Sequence, residues 1–400
     1  MRTMMHPRAV RARRRSYSGG VSPGPLDGVL VADFSRVLAG PSASMWLADL
    51  GARVIKVERP GTGDDTRAFG PPWAGSSSAY FESANRSKES IALDLASPDD
   101  AALARSLAAR ADVMLENFRT GSLSRFGLDP EAVHRANPRA VYCSITGFGA
   151  GAGAHLPGYD FLVQAVGGLM SITGDPDGEP RKVGVALVDL LAAKDAVIGI
   201  LAALRHRELT GEGQHVEVDL LSSLLASLAN QASSYLATGV APRAMGNQHP
   251  SIAPYETLRA ADGMLAVAVG SDRQFRALTA ALGAPALADD PRFASNGARV
   301  GNRAELIAVL EGALASIPVE EAVERMLGAG VPAGRVGDIP SAIALAESLG
   351  LDPLVDVGEG HPAQVRHPVR YSAFTPVTPT APPALDADGT ALRAWLAAPN

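Results

Sequence analysis

One cysteine, Cys143, stands in 400 residues, so no disulfide can close within the chain and no Cys-x-x-Cys framework is present for zinc. The eight histidines fall in no His-x-His or His-Glu-x-x-His spacing, which removes the common catalytic zinc arrangements as well. A reducing compartment, the cytoplasm, and no metal are therefore expected. Long apolar runs are also missing. The most apolar stretch, Val183 to Leu204, is interrupted by Asp189, Lys194 and Asp195, so it reads as a buried helix and not as a membrane span. A basic surplus is absent too: Lys and Arg number 36 against 42 Asp and Glu, a formal charge of −6. That balance argues against a nucleic-acid partner, which needs a basic face. Only the N-terminus departs from it, with Arg2, Arg8, Arg11, Arg13, Arg14 and Arg15 and no acidic residue. Without an apolar core this is no secretory signal, and a disordered basic tail over 1–24 is expected.

What is present is β-α grammar. From Gly28 the short buried-looking runs GVLVADF, RVIKVE, SIALDL, DVMLEN and AVYCSIT alternate with the helical patterns SASMWLADLG and PDDAALARSLAARA, and with a short helix near Glu131 to Arg135. Runs of this kind predict a parallel sheet covered by helices on both faces. After Gly174, VGVALVDLLAAKDAVIGILAALRHRELTG predicts a short strand and a long helix that stops at Gly211, followed by the strand HVEVDL and a second long helix, LLSSLLASLANQASSYLATG. A Pro/Gly linker runs from Ala241 to Pro254. A hairpin around Asp262-Gly263 and three helices follow it. The expected division is a large α/β domain over 25–246, a small α+β domain over 247–335, and a linker and C-terminal segment over 336–400 that returns to the large domain. Its proline-punctuated stretch is expected to lie across another surface, that of a partner subunit.

In an open parallel sheet, ligands sit beyond the carboxyl ends of the strands. The loops there carry Arg36, Arg59, Arg67, Arg119 and Arg125, whose guanidinium forks suit an anionic, nucleotide-sized ligand. Gly147, Gly149 and Ala152 match a loose dinucleotide fingerprint, but they follow the wrong strand and lead into His155-Leu156-Pro157-Gly158, which is loop. Asp189 is the candidate nucleophile. It lies between the strand-like run Val183 to Val188 and an apolar helix, where it is either a helix cap or a carboxylate kept ionised by the helix terminus for attack. Tyr159 and Asp160 form a polar pair that either positions substrate or makes a loop hydrogen bond. His249 stands at the domain boundary, as a cleft residue or a surface one.

The stretches LDGVLVADFSRVLAGP, LADLGARVIKVERPGTGDDTR, NRSKESIALDL, ADVMLENFRTGSLSRFGL, YCSITGFG, GYD, GLMSITG and HRELTGEGQHVEVDLL together resemble the family III coenzyme A transferases, the group of formyl-CoA transferase and the alpha-methylacyl-CoA racemases. The resemblance runs over most of residues 25–375. It implies a Rossmann-like large domain with a smaller α+β domain in an interlocked homodimer, with no resident cofactor and an acyl-CoA thioester as co-substrate. It implies Asp189 as the nucleophile, forming an anhydride and then a thioester with CoA, with Tyr159 and Asp160 beside it. Arg36, Leu38, Ala39, Arg59, Leu93, Asn117, Phe118 and Arg125 match CoA-contacting positions. The family's lysine before the Tyr-Asp pair is replaced by Pro157.

Two branches are distinguished by what stands at particular positions. Where the racemases have a histidine, this chain has Tyr159, too weak an acid to shuttle protons easily. Transfer is thus favoured, with 2-methylacyl-CoA racemisation as the alternative. Where formyl-CoA transferase has a glycine-rich lid, GNQHPSI (246–252) stands, which argues against oxalate and formyl-CoA. RVLAGP, GDDTR, YCSITG and the loop SIAPYE are similar to the succinyl-CoA:glutarate or hydroxymethylglutarate type. That similarity implies a dicarboxylate acceptor, with His249 and Arg67 as the residues expected to meet it.

Overall fold

A computed structural model describes residues 24–399 except residue 76; the basic tail read over 1–24 lies, but for Gly24, outside them. The chain opens with β1 (Leu30–Asp33), α1 (Ala39–Asp49) and β2 (Arg53–Glu58), then two short paired strands, β3 (Trp73–Ala74) and β4 (Ser77–Ser78). Next come α2 (Ala79–Asn85), β5 (Lys88–Ala92), α3 (Pro98–Arg110), β6 (Val113–Glu116), α4 (Pro130–Ala136) and β7 (Val141–Thr146). Helices start where the chemistry favours it: Pro98 fills the first turn of α3, with Asp99 and Asp100 beside it at the positive end of the dipole. A short α5 (Asp160–Val166) leads to α6 (Leu187–Thr210), β8 (Gln214–Asp219), α7 (Leu220–Ser227) and α8 (Ala229–Thr238).

Six of these strands form one parallel sheet in the order β5-β2-β1-β6-β7-β8. Strand order therefore grows one way from β1 through β2 to β5 and the other way through β6, β7 and β8, so the sheet reverses between β1 and β6. The inner strands are buried along nearly their whole length, as expected of strands covered on both faces. One face packs Val31, Val54, Val113 and Val141 on α1 and α6; the other packs Ile55, Ile91, Met114 and Tyr142 under α3.

A second, antiparallel sheet joins β9 (Tyr255–Arg259), β10 (Met264–Ala268) and β11 (Ala333–Arg335). Its core of Leu258, Leu265, Phe275, Leu310 and Met326 is separate from the two cores of the large sheet. Around it lie α9 (Asp272–Ala281), α10 (Asn296–Gly301), α11 (Arg303–Leu314) and α12 (Val319–Gly328). The chain continues through α13 (Ile339–Ser348) and the short pair β12 (Leu354–Val355) and β13 (Gln364–Val365), and ends in α14 (Gly389–Ala397).

Several expectations need correction. Val183 to Val188 forms no strand: the segment is loop until α6 begins at Leu187. Nor is α6 buried all round. Val188, Ala192, Ala196, Ile200 and Ala203 face the core, whereas Ile198 is 65% exposed. The second long helix breaks at Ala229, whose φ is 43°, and the start of the segment read as linker over 336–400 is α13. The proline-rich stretch lies on the chain's own sheet. Val377 and Ser87 hydrogen-bond with the Asp49 and Thr380 carbonyls, and Asp386 and Asp388 accept from Ala92 and Ser90 on β5. That covering closes an edge that would otherwise present unpaired backbone groups.

The C-terminal segment is also tied in by a buried ion pair. Arg86 meets Asp49 through both forks, at 3.0 and 2.7 Å, and donates to the Val365 carbonyl at 2.8 Å. Both side chains are almost wholly buried, so removing one partner strands the other. Arg86→Ala is expected to destabilise the protein by about 3–5 kcal/mol in denaturant unfolding. A loss below about 1 kcal/mol would mean that Asp49 is not held by this pair.

Candidate active site

Where strand order reverses, the loops after β1 and β6 part, and a crevice opens between them. Here the two loops are fastened to each other. The Asn117 side chain accepts from the Arg36 N–H at 2.8 Å and donates to the Arg36 carbonyl at 2.7 Å. Its neighbour Val37 has φ 70°, a left-handed conformation that is strained for a β-branched residue. The Val37 N–H points to the Asp64 carboxylate at 3.3 Å. Asp64 is itself paired with buried Lys56 at 2.8 Å, and Lys56 donates to the Ser35 carbonyl. A hydrogen-bonded frame therefore holds the strained loop in place.

Against this frame lies a groove of about 280 Å³ lined by Arg36, Arg59, Leu93, Phe118, Arg125 and Phe126 among others. The Arg36 guanidinium stacks 4.9 Å from the Phe118 ring and lies 3.6 Å from Asp65. Arg59 is 3.9 Å from the same carboxylate. The Arg36 Nε is buried with no hydrogen-bond partner among the described residues, a donor with unused capacity. Three guanidinium groups around one apolar floor, with a single partly exposed carboxylate between two of them, suit a phosphorylated ligand with a flat ring.

Phe118 also lines a second, smaller cavity of about 100 Å³, together with Ala39, Asn117, Phe148, Leu156 and Asp189. Asp189 sits in the first turn of α6, yet it does not cap that helix. Asp160 does so from α5: its Oδ1 accepts the Val188 N–H at 2.8 Å and faces the Asp189 N–H at 3.4 Å. Asp160 is fixed in turn by Gln164, whose Nε2 donates to Oδ2 at 2.7 Å, while the Gln164 Oε1 accepts the Val183 N–H at 2.9 Å. Asp160 can reach α6 because the chain before it crosses β7 at glycine-only distance. A Cβ on Gly147 would fall 2.3 Å from the Gly158 Cα. With the helix amides taken up by Asp160, the Asp189 side chain is left without a hydrogen bond among the described residues.

That arrangement reverses the expectation that the helix terminus keeps Asp189 ionised. Burial pushes its carboxyl up to about 7, and the like charge of Asp160 adds to the rise. A carboxylate of raised basicity is the better nucleophile once ionised. Burial also raises the Tyr80 phenol to about 12, with Asp189 and Asp160 adding to the effect, so this ring on α2 shares their field.

Of the residues named from sequence, the structure gathers Arg36, Arg59, Leu93, Phe118 and Arg125 at the groove and Ala39, Asn117 and Asp189 at the cavity beside it. Leu38 is the half-buried residue preceding α1 and lines neither. The Tyr159 ring is 67% exposed. His249 packs its ring 5.2 Å from Tyr255 and accepts from the Ser251 N–H, on the side of the small sheet. Arg67 is committed to Glu58 at 2.7 Å, to the Pro383 carbonyl and to the Phe81 ring, so its fork is occupied. Gln164, Tyr80 and Glu116 were not found from sequence. The Glu116 carboxylate accepts the Phe118 N–H at 2.7 Å and so holds the residue shared by both cavities. Gln164 stands four positions after Asp160 on α5 and Glu116 two before Phe118, spacings that helix and turn geometry offers, whereas Tyr80 meets Asp189 only through the fold.

The profile of CoA-transferase family III matches residues 26–389. The chain is 46% identical to the succinate-glutarate CoA-transferase of Agrobacterium fabrum over 327 residues, 80% of this chain and 82% of that protein. It is 42% identical to the acetyl-CoA:oxalate CoA-transferase of Acetobacter aceti, across 94% of this chain and 97% of the other. The crystal structure of a CAIB/BAIF family protein from Brucella suis superposes with a TM-score of 0.86 at 43% identity, covering 94% of this chain and all (100%) of that one.

Asp160→Asn keeps an oxygen for the Val188 N–H and removes the neighbouring charge. It is expected to lower the pH at which Asp189 ionises, read from the carboxyl ¹³C shift against an Asp189→Asn spectrum; an unmoved midpoint would show that the Asp160 charge does not reach it. Because Asp189 binds its proton more tightly folded than unfolded, its contribution to stability is present at low pH and is lost as pH rises from 3.8 through about 7. Asp189→Asn should flatten that part of the stability profile.

Proposed function

Because the chain belongs to CoA-transferase family III, an enzyme family that exchanges CoA between carboxylic acids, we propose that it carries CoA from succinyl-CoA to a dicarboxylate such as glutarate, with Asp189 as the nucleophile. No resident cofactor is implied; the acyl-CoA is a co-substrate. The observation that carries this reading is a carboxylate free of hydrogen bonds among the described residues, in a cavity that shares Phe118 with an arginine-lined groove. Arg36, Arg59 and Arg125 are the residues to hold the nucleotide phosphates, and Leu93 and Phe118 offer apolar faces for the adenine. The thioester end then enters the cavity of Asp189.

In this reading the Asp189 carboxylate attacks the thioester carbonyl, forming a mixed anhydride and releasing CoA thiolate. The thiolate attacks the aspartyl carbonyl of the anhydride, which frees the donor acid and leaves CoA bonded to Asp189 as a thioester. The acceptor carboxylate displaces CoA in the same way, and a second thiolate attack, now on the acyl carbon, yields the new acyl-CoA and restores Asp189. Splitting one exchange into steps of this type is what covalent catalysis provides. Asp160 positions the nucleophile in this scheme; Tyr159, with its ring largely exposed, is the less supported member of the pair. The glutarate-type relatives of Agrobacterium fabrum, mouse and human, at 39–46% identity, support a dicarboxylate acceptor.

We also propose a homodimer of interlinked chains. Its support is the apolar surface of α5 to α8, where Val166, Ile198, Tyr235 and Leu236 are each more than half exposed, more than a monomer ordinarily leaves in one region.

Asp189→Ala is expected to abolish transfer while leaving the fold intact by circular dichroism. Wild-type protein quenched with succinyl-CoA and hydroxylamine should yield a hydroxamate on the peptide holding Asp189. Turnover with that peptide unmodified would remove Asp189 from the mechanism. A screen of succinyl- and acetyl-CoA against glutarate, oxalate and monocarboxylic acids decides the substrates, and α-proton exchange in deuterium oxide without an acceptor would favour racemisation instead. Light scattering is expected to give twice the chain mass; a monomer would refute the dimer.

A further inference from the structure

The cavity at Asp189 has one anion and one cation in its lining. The anion is Asp189 and the cation is Arg119, three residues after β6. The rest of the lining is uncharged, with Asn117, Thr120 and Thr146 as polar members and Phe118, Ile145, Phe148, Leu156 and Leu220 as apolar ones. Arg119 is exposed, and its guanidinium makes no hydrogen bond or ion pair among the described residues. Its counterparts are differently placed. Arg36 and Arg59 share Asp65 at the neighbouring groove, Arg67 is locked to Glu58, and Arg125 lies over the Phe126 ring. The groove thus has cations of its own, whereas among the described residues the Asp189 cavity has a single, uncommitted one.

A dicarboxylic acid presents two carboxylates, and only one can react. The other enters a small space beside an ionisable aspartate, where an unpaired charge is costly. An acyl group with a charge at its far end therefore needs a cation on the cavity wall, separated from the nucleophile by a surface that accepts methylenes. Beyond Arg119 a wider cavity of about 780 Å³ opens, and Arg119 and Thr120 line both spaces. That outer cavity carries Glu116, Asp129, Glu131, Glu217 and Asp219 against Arg135 and His215. A carboxylate that passed Arg119 would meet mostly like charge, which favours acids short enough to end at Arg119.

We propose that Arg119 is the residue that sets acyl-chain specificity, by pairing with the distal carboxylate of the donor acyl group and then with that of the acceptor acid. The proposal rests on the transferase reading above and names how the same site would recognise a dicarboxylate.

The test compares acids that differ only in the far carboxylate: glutarate against butyrate as acceptors, and succinyl-CoA against propionyl-CoA as donors. In Arg119→Gln, kcat/KM for glutarate is expected to fall roughly 10- to 100-fold, the size of a lost charge-assisted hydrogen bond, while the butyrate value moves by less than about threefold. Arg119→Lys should recover part of the loss, since it restores charge without the planar fork. Should butyrate turn over too slowly to compare, single-turnover acylation of Asp189 by the two donors, followed by mass spectrometry, gives the same split. An equal loss with charged and uncharged acids, a rise confined to the KM of every acyl-CoA, or an unchanged glutarate value would each overturn the assignment. Wild-type protein that transfers CoA to no acid would instead defeat the transferase reading, and wild-type protein that takes only monocarboxylates would defeat both.

Discussion

The carboxylate proposed as the nucleophile is available because another residue has taken over the helix end on which it stands. An isolated α6 would draw the Asp189 side chain onto its own first-turn amides, since a carboxylate there is the ordinary way to satisfy them. Asp160 accepts those amides from a different helix, and Gln164 holds Asp160 so that it cannot turn away. The substitution has two effects at once. It frees the carboxylate of Asp189, and it places a second negative charge close by, which together with burial raises its basicity. A protein that capped α6 with Asp189 would keep the same fold and a poorer nucleophile.

The crevice at the sheet's reversal depends on a comparable exchange. Burying Lys56, Lys88, Asp33 and Asp64 is unfavourable for each group alone. Burial drives Asp33 upward, but Lys88 and Lys56 together with the hydroxyls of Ser35 and Ser44 outweigh it and hold the acid at about 2. Burial likewise brings Lys88 down to about 8 despite Asp33. What the cluster supplies is position: Lys56 donates to the Ser35 carbonyl and Lys88 to that of Pro41, which brackets the loop containing Val37. With Asn117 gripping the next peptide, a backbone conformation unfavourable for valine becomes the only one consistent with its surroundings.

How far the sequence discloses this structure depends on the range of the forces involved. The five strands of the large sheet from Leu30 to Thr146 are legible because a doubly covered sheet writes itself as continuous apolar runs, and α3 because proline and acids mark its first turn. β8 is less apolar than the others, in keeping with its place at the sheet's edge. The short strand before α6 was misread because Val183 to Val188 has the composition of a strand, yet no neighbouring strand offers it a ladder. Gln164 draws its backbone instead. Asp189 could be named from its apolar surroundings, but its ionisation could not, since the rise comes first from a burial that only the folded chain creates and then from Asp160, twenty-nine positions earlier in the chain. Asn117 also braces the Arg36 peptide, a role that only the pairing of β1 with β6 creates.

Two cavities that meet at one phenylalanine also explain how a large cofactor-like substrate can serve a small chemical step. The groove sets the guanidinium groups of Arg36, Arg59 and Arg125 around a mostly apolar floor, and the Asp189 cavity is smaller, with more polar than apolar surface. Binding energy gained in the groove, remote from the bond that breaks, can be spent on carrying a thioester into a space where a carboxylate is poorly solvated. Phe118 is the fixed point of that coupling, because its ring carries the Arg36 guanidinium while its backbone is held by Glu116. Movement of either would be felt at both ends of the ligand. In the proposed reading this division also accounts for the separate placement of the cations: those in the groove would fasten what all acyl-CoA thioesters share, and discrimination among acyl groups would be left to the few side chains around Asp189.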